Sequence, residues 1–238
     1  MDENNENKTN SNVNAEEIKK EVKETTKDVK EAVKNTNLKK DAKEAKNFVT
    51  NFFKTPYTEL KKVVTSPKSF LKIAIIIFIV WVVAECIGSI IEVVDSINYS
   101  PYYNFSAYVR NSLSDFFSVL KSILAPAISV ALLSGIIYLL MKDKKKKYLT
   151  ILTTTIIAQI PVIIASIISL LGYISTQARM VTSSISGFCS VISTVLVYFA
   201  IKALHSENDD DKVTKTFIIT MAIYYGIALI LKFFTIYI

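Results

Sequence analysis

Two carboxylates interrupt the first long apolar run of this sequence. Residues 73–84 are uniformly apolar, Glu85 follows directly, and Glu92 lies seven positions further on. At 3.6 residues per turn both project from one side of a helix. Glu92 falls near the end of the run, but Glu85 falls deeper. An ionised carboxylate inside hydrocarbon is costly unless paired or hydrated, so such a group is a candidate for a solute or ion path. Gln159 and Pro161 stand in the middle of a second apolar run, among threonines and serines. A mid-span proline frees a backbone carbonyl that hydroxyls or water can satisfy, and broken helices can line substrate sites. Glu85, Gln159 and Pro161 therefore form the candidate intramembrane polar site. The plainer role for Gln159 is a hydrogen bond to a neighbouring helix, and for the hydroxyls it is helix packing.

Enzymatic chemistry finds little support. Serines are plentiful, but no Gly-x-Ser-x-Gly elbow, paired-aspartate motif or His-Glu-x-x-His is present. The one histidine, His205, sits beside acidic residues and reads as an ordinary exposed loop residue. Cys86 and Cys189 lie in apolar runs and read as buried free thiols. The expectation is a noncatalytic protein with no metal site and no cofactor.

The elements that must carry these residues are membrane helices. The chain has 238 residues, 51% hydrophobic and 21% charged. Residues 1–70 hold 15 of the 28 basic and 12 of the 21 acidic residues. Beyond them the charges cluster between apolar runs of membrane length, about 20 residues for a core of about 30 Å. The runs lie at about 71–94, 120–141, 149–173, 184–204 and 214–236. The fold class expected is an all-α integral membrane protein with five transmembrane helices. Pro126 is placed to kink the second span. The small, hydroxylic residues 184–194 favour close helix approach in the fourth. The polar, aromatic stretch 95–118, with Tyr99, Tyr102, Tyr103, Phe105 and Tyr108, reads as a loop at the far interface with a short helix near 105–117. Residues 174–183 read as a short loop and 205–212 as an acidic one.

A charged arm precedes the spans. Residues 1–15 are rich in Asn and acidic groups and have too little apolar mass to repay ordering, so disorder is expected. Residues 16–46 alternate charge in helical steps, with Glu16 and Lys20, and Lys27 and Glu31, suitably spaced. Ile18, Val22, Val29 and Val33 make a thin stripe. This pattern suits a solvent-exposed helix, a weak oligomerisation or coiled-coil partner helix, or a helix on the membrane surface. Residues 47–70 combine Phe48, Val49, Phe52, Phe53 and Tyr57 with Lys46, Lys54, Lys61 and Lys62, a composition suited to the headgroup layer. Pro56 should break this lead-in, a short helix should follow over about 57–65, and Pro67 should open the next element.

Orientation follows from the lysines. Lys54, Lys61, Lys62, Lys68 and Lys72 join Lys142, Lys144, Lys145, Lys146 and Lys147, with Lys202, Lys212 and Lys215, on one side. Only Arg110, Lys121, Arg179 and Lys232 fall on the other. The positive-inside rule then puts the N-terminus in the cytoplasm and the C-terminus on the far side. The five-lysine loop marks topology and is also a candidate contact for anionic lipid headgroups. The net charge of +7 is thus explained by orientation, and nucleic acid is not an expected partner. The first apolar run begins too late for a standard cleaved signal, so the first span is expected to lead insertion. Abundant Asn, Lys and Ile suit an AT-rich bacterial gene, and hence a bacterial plasma membrane.

The layout over roughly residues 48–235 resembles the Yip1-domain family, in its bacterial form. The resemblance rests on the basic, proline-containing lead-in Thr65-Ser66-Pro67-Lys68-Ser69-Phe70, similar to a Pro-x-x-x-Phe phrase but one residue shorter. It rests also on the long connection between the first two spans, and on the tightly joined segments Leu149–Ile174 and Ser184–Phe234. The Asp-Leu-x-Gly-Pro segment of eukaryotic members is absent, so no trafficking or GTPase role carries over. The resemblance implies a multi-span scaffold or adaptor, whose arm would contact a cytoplasmic protein and whose core would anchor it or form a homo-oligomer. The competing expectation is a small-solute or ion transporter or channel using Glu85 and the broken third span.

Overall fold

A computed structural model of the chain describes residues 3–98, 105–141, 147–205 and 210–237, with backbone alone at 3–15, 17, 38–39, 95–98, 105–114, 118 and 231–237. Among the described residues every regular element is helical. The order is α1 (Glu3–Lys34), α2 (Leu38–Lys54), α3 (Pro56–Thr65), α4 (Pro67–Asn98), α5 (Phe105–Leu140), α6 (Tyr148–Ala158), α7 (Ile160–Ser169), a 3-10 turn (Leu170–Tyr173), α8 (Thr176–Leu204) and α9 (Asp210–Tyr237).

Four helical segments are long and apolar enough to cross a membrane: Pro67–Val94, Asp115–Leu140, Thr176–Leu204 and Asp210–Ile230. The pair Tyr148–Ala158 and Ile160–Tyr173, bent by 43°, supplies a fifth when taken as one broken span. Such a chain has the build of an integral membrane protein, since only helices that satisfy their own backbone can cross hydrocarbon in this form.

Two connections differ from expectation. The connection expected over 95–118 is shorter, because helix covers 95–98 and α5 starts at Phe105 and runs unbroken through Pro126. Residues 99–104, including Tyr99, Tyr102 and Tyr103, lie outside the description. Residues 176–183 are not loop but the first turns of α8. The cause is a cap: the Ser175 hydroxyl accepts the Ala178 N–H at 3.1 Å, satisfying a donor that a helix start otherwise leaves open.

Prolines punctuate the lead-in as expected. Thr55 separates α2 from Pro56, and α4 opens at Pro67. The charged arm is not one helix, however. It breaks at residues 35–37, where Asn37 caps α2: its side chain faces the Lys40 N–H at 3.4 Å, and the Asp41 carboxylate accepts the Asn37 N–H at 2.8 Å. Such reciprocal satisfaction fixes a helix start.

The apolar side chains of the lead-in pack on the bundle. Phe48 and Phe52 are buried, as are Leu60 and Val63, and all four join the main core with Ile151, Val197 and Ile201. Phe48 meets Phe70 at 5.4 Å and Tyr57 meets Phe199 at 6.0 Å. Phe53 alone of these phenylalanines is exposed. An amphipathic helix can bury its apolar face against protein or lipid, and here the bundle end takes it.

Helix α1 is held differently. Val29 and Ala32 pack on Leu71, Ile75 and Leu149. Lys68 reaches Asp28 at 3.2 Å, and the Lys72 ammonium donates to the Asn35 carbonyl at 3.0 Å. Exposed ion pairs are worth about 0–1 kcal/mol, whereas burying one large apolar side chain is worth roughly 1.5–3 kcal/mol. The lead-in is therefore integral to the fold, and α1 is a lightly attached appendage. Truncating Phe52 to Ala should cost about 3–5 kcal/mol, the usual range for a buried phenylalanine. Thermal unfolding of the purified protein should show a clear drop; an unchanged melting temperature would mean that the lead-in is not part of the core.

Candidate functional site

The third span breaks at Gln159 because of Pro161. Proline has no N–H to give to the turn before it, and its ring crowds that turn's carbonyl. Helix α6 accordingly ends at Ala158, Gln159 turns its N–H onto the Ile156 carbonyl at 3.1 Å, and α7 begins at Ile160. Ser193 of α8 fills the gap. Its hydroxyl oxygen lies 2.8 Å from the Ala158 carbonyl and 2.9 Å from the side-chain oxygen of Gln159. A serine has one proton to donate. Turning the Gln159 amide over lets its NH₂ donate to Ser193 while Ser193 donates to Ala158, which satisfies both groups.

Beside this break lies a cavity of about 170 Å³. Gln159, Ser193, Ser190 and Thr194 supply one polar wall, and Ser129, Tyr224 and Tyr225 supply another. Ser129 and Tyr224 hydroxyls approach to 2.6 Å across α5 and α9, and Thr194 and Tyr225 to 3.3 Å across α8 and α9. Four spans thus contribute hydroxyls or an amide to one space. Trp81 of α4 closes it on a further side. The cavity has donors and acceptors for a water or a small polar solute, but no ionised group lines it.

Glu85 stands behind Trp81. The Trp81 indole N–H donates to its Oε1 at 3.1 Å, and the Ser166 hydroxyl of α7 donates to the same oxygen at 2.7 Å. The deep carboxylate therefore has two neutral donors. Glu92 projects from the same side of α4, as the spacing required, and accepts the Tyr173 hydroxyl at 2.9 Å. The Arg179 guanidinium lies over the Tyr173 ring at 5.9 Å. Backbone approach is close here at one glycine. A Cβ on Gly172 would sit 2.7 Å from the Thr182 hydroxyl and 3.2 Å from the Arg179 Cα, so the 3-10 turn meets α8 only because position 172 has no side chain.

The three residues singled out from sequence are therefore brought near one another but not into one pocket. Gln159 lines the cavity, Pro161 is buried beside it and creates the break, and Glu85 is one residue removed, joined through Trp81. Ser129, Ser193, Tyr224 and Tyr225 were not foreseen individually. The small-residue character of α8 was the available signal for Ser193, and a tyrosine pair inside an apolar run was the signal for the other wall. No protein-family model, curated protein or solved structure matches the chain.

At the arm end a second space opens, about 540 Å³, between α1 and the starts of α4 and α6. Glu21, Glu24, Asp28 and Glu31 face Lys68 and Lys147 across it. The Tyr148 N–H, which no residue of its own helix can satisfy, donates to Glu21 at 3.3 Å. An acidic group at a helix N-terminus is favourable on charge grounds too. Lys147 is exposed, whereas Lys142, Lys144, Lys145 and Lys146 lie outside the described residues. Two single residues also depart from expectation. His205 is buried, not exposed: it ends α8 and meets the Thr216 hydroxyl at 3.2 Å, because α9 folds back over it. Cys86 and Cys189 are free but only half-buried, since both sit on helix faces that the bundle does not enclose.

Replacing Ser193 by Ala would strand the Ala158 carbonyl in the bundle. A buried unsatisfied group costs about 1–3 kcal/mol. A matching loss of thermal stability is expected for Ser193→Ala, and less for Ser184→Ala on the exposed side of α8; equal effects would contradict the proposed role of the bond.

Proposed function

We propose that this chain is a noncatalytic membrane scaffold or adaptor of the Yip1-domain type, which presents its N-terminal arm to a cytoplasmic protein. The observation that carries this reading is the burial of Phe52, Leu60 and Val63, all 0% exposed. That burial fixes α2 and α3 to the bundle and leaves α1 as a charged helix at one end of it, lightly held and mostly exposed. A membrane body whose described polar groups mostly pair with one another and an arm bearing both signs of charge suit recruitment better than turnover. The five-span count, the bacterial plasma membrane, the cytoplasmic N-terminus and the far-side C-terminus belong to the same proposal. It is supported by the way the arm, the start of α6 and the end of α8 gather at one end, with Glu92, Tyr173 and Arg179 at the other. Anionic headgroups around Lys147 and its neighbouring lysines would be further contacts, and self-association through the spans would be compatible with it.

The break at 35–37 sets where the arm should be cut. Removing residues 1–34 spares the buried lead-in, whereas removal to residue 46 would take Ala45 and Asp41 from their packing. In cells, crosslinking should recover a specific protein with the full chain and lose it with the truncated one, membrane insertion being equal in both. Protease added to sealed cells should leave the arm uncut. Equal recovery from both chains would end the adaptor reading, and cleavage of the arm from outside would reverse the orientation.

The hydroxyl-lined cavity at the broken span favours a second reading, a path for a small polar solute or for protons. In proteoliposomes carrying a pH-sensitive dye, proton flux should then appear and fall at least tenfold in Glu85→Gln. Absence of flux of protons and of small neutral polyols would remove this reading without touching the first.

A further inference from the structure

We propose that the groove between α5 and α9 binds one anionic phospholipid, taken from the leaflet at the Lys121 end of the bundle. The groove is about 470 Å³ and is walled mainly by apolar groups, among them Leu120, Leu124, Ile128 and Ala228. Among the described residues Lys121 is its one charged lining residue. It lies six residues into the span Asp115–Leu140, where a lysine stem can follow the apolar wall while its ammonium reaches the headgroup level. A lipid phosphate at that level finds a counter-charge, and the tail below it finds hydrocarbon. A free phosphate would gain nothing from the apolar walls, so the lipid is the occupant that uses the whole site.

The dimensions fit one leaflet. From Lys121 to Leu132, the innermost α5 residue of the groove, the helix rises about 16 Å at 1.5 Å per residue, close to half of a hydrocarbon core of about 30 Å. Ser129 and Tyr224 line its inner part and also line the polar cavity. Their hydroxyls are 2.6 Å apart and satisfy one another, so an acyl chain can abut them without stranding a polar group. That bond is shared by the lipid-filled groove and the polar interior. Ala228, exposed and small, leaves the groove its width.

The test uses the full chain in detergent, offered equal amounts of phosphatidylglycerol and phosphatidylcholine with identical acyl chains, and read by native mass spectrometry. One phosphatidylglycerol should be retained per chain, at least fivefold over phosphatidylcholine. Lys121→Gln should abolish the preference, Ala228→Phe should remove retention of both lipids, and Lys30→Gln, on the exposed side of α1, should leave the result unchanged. Lys121 and Ala228 are both exposed, so the variants are expected to fold, and matched thermal unfolding curves verify this. Equal retention of the two lipids by the unaltered chain, or a preference that survives Lys121→Gln, overturns the proposal.

Discussion

In hydrocarbon a backbone group without a hydrogen-bond partner has no water to turn to, and that demand shapes the centre of this molecule. Pro161 breaks the ladder of the third span, and Ser193 of α8 donates to the Ala158 carbonyl at the break. Once α8 is committed to that contact, Ser190 and Thr194 fall on the same side of the helix and Gln159 is held between two helices. The bent span cannot fill the space that a straight one would occupy, so a cavity lined by hydroxyls remains. The bend at Pro161 and the hydroxyls of α8 thus meet at one place. The same demand recurs at the arm end, where α1 supplies Glu21 to the Tyr148 N–H.

The polar groups of the spans divide by partner type. Those at the centre meet neutral donors and acceptors: hydroxyl with hydroxyl, amide with hydroxyl, and Glu85 with an indole and a serine. Complementary charges lie at the two ends, with Asp28 and Lys68 at one and Glu92 near Arg179 at the other. This division follows the dielectric. Charge pairs are inexpensive where water reaches them and costly where it does not.

Much of this was legible in the sequence because the signals are long. Runs of about 20 apolar residues, a proline in the middle of one of them, and two glutamates seven apart declare themselves without knowledge of neighbours. Proline punctuation at 56 and 67 was equally plain. What was not legible depends on which surface an amphipathic face chooses. Phe48 and Phe52 beside lysines describe a headgroup helix and a helix packed on a bundle equally well. His205 beside an acidic stretch looks exposed until α9 returns over it. The partners of Glu85 come from residue 81 on its own helix and from residue 166, 81 positions away, and the second has no local signature. Ser175 as a cap was local and readable, but it was masked by the polar run around it.

The close contact at Gly172 has a mechanical consequence. It clamps the end of the third span to the start of α8, so the segment after the break is tied to a long, continuous neighbour. The segment before the break, α6, runs from Gln159 to Tyr148, whose hydroxyl meets Ser134 at 3.0 Å and whose ring packs on Tyr138. Eleven residues make that segment about 16 Å long, so each degree of change in bend would displace its Tyr148 end by about 0.3 Å. That end is one place where the arm touches the membrane body. Any change in bend at Gln159 would therefore have to be taken up by the contacts of Tyr148 with Ser134 and with Glu21 of the arm.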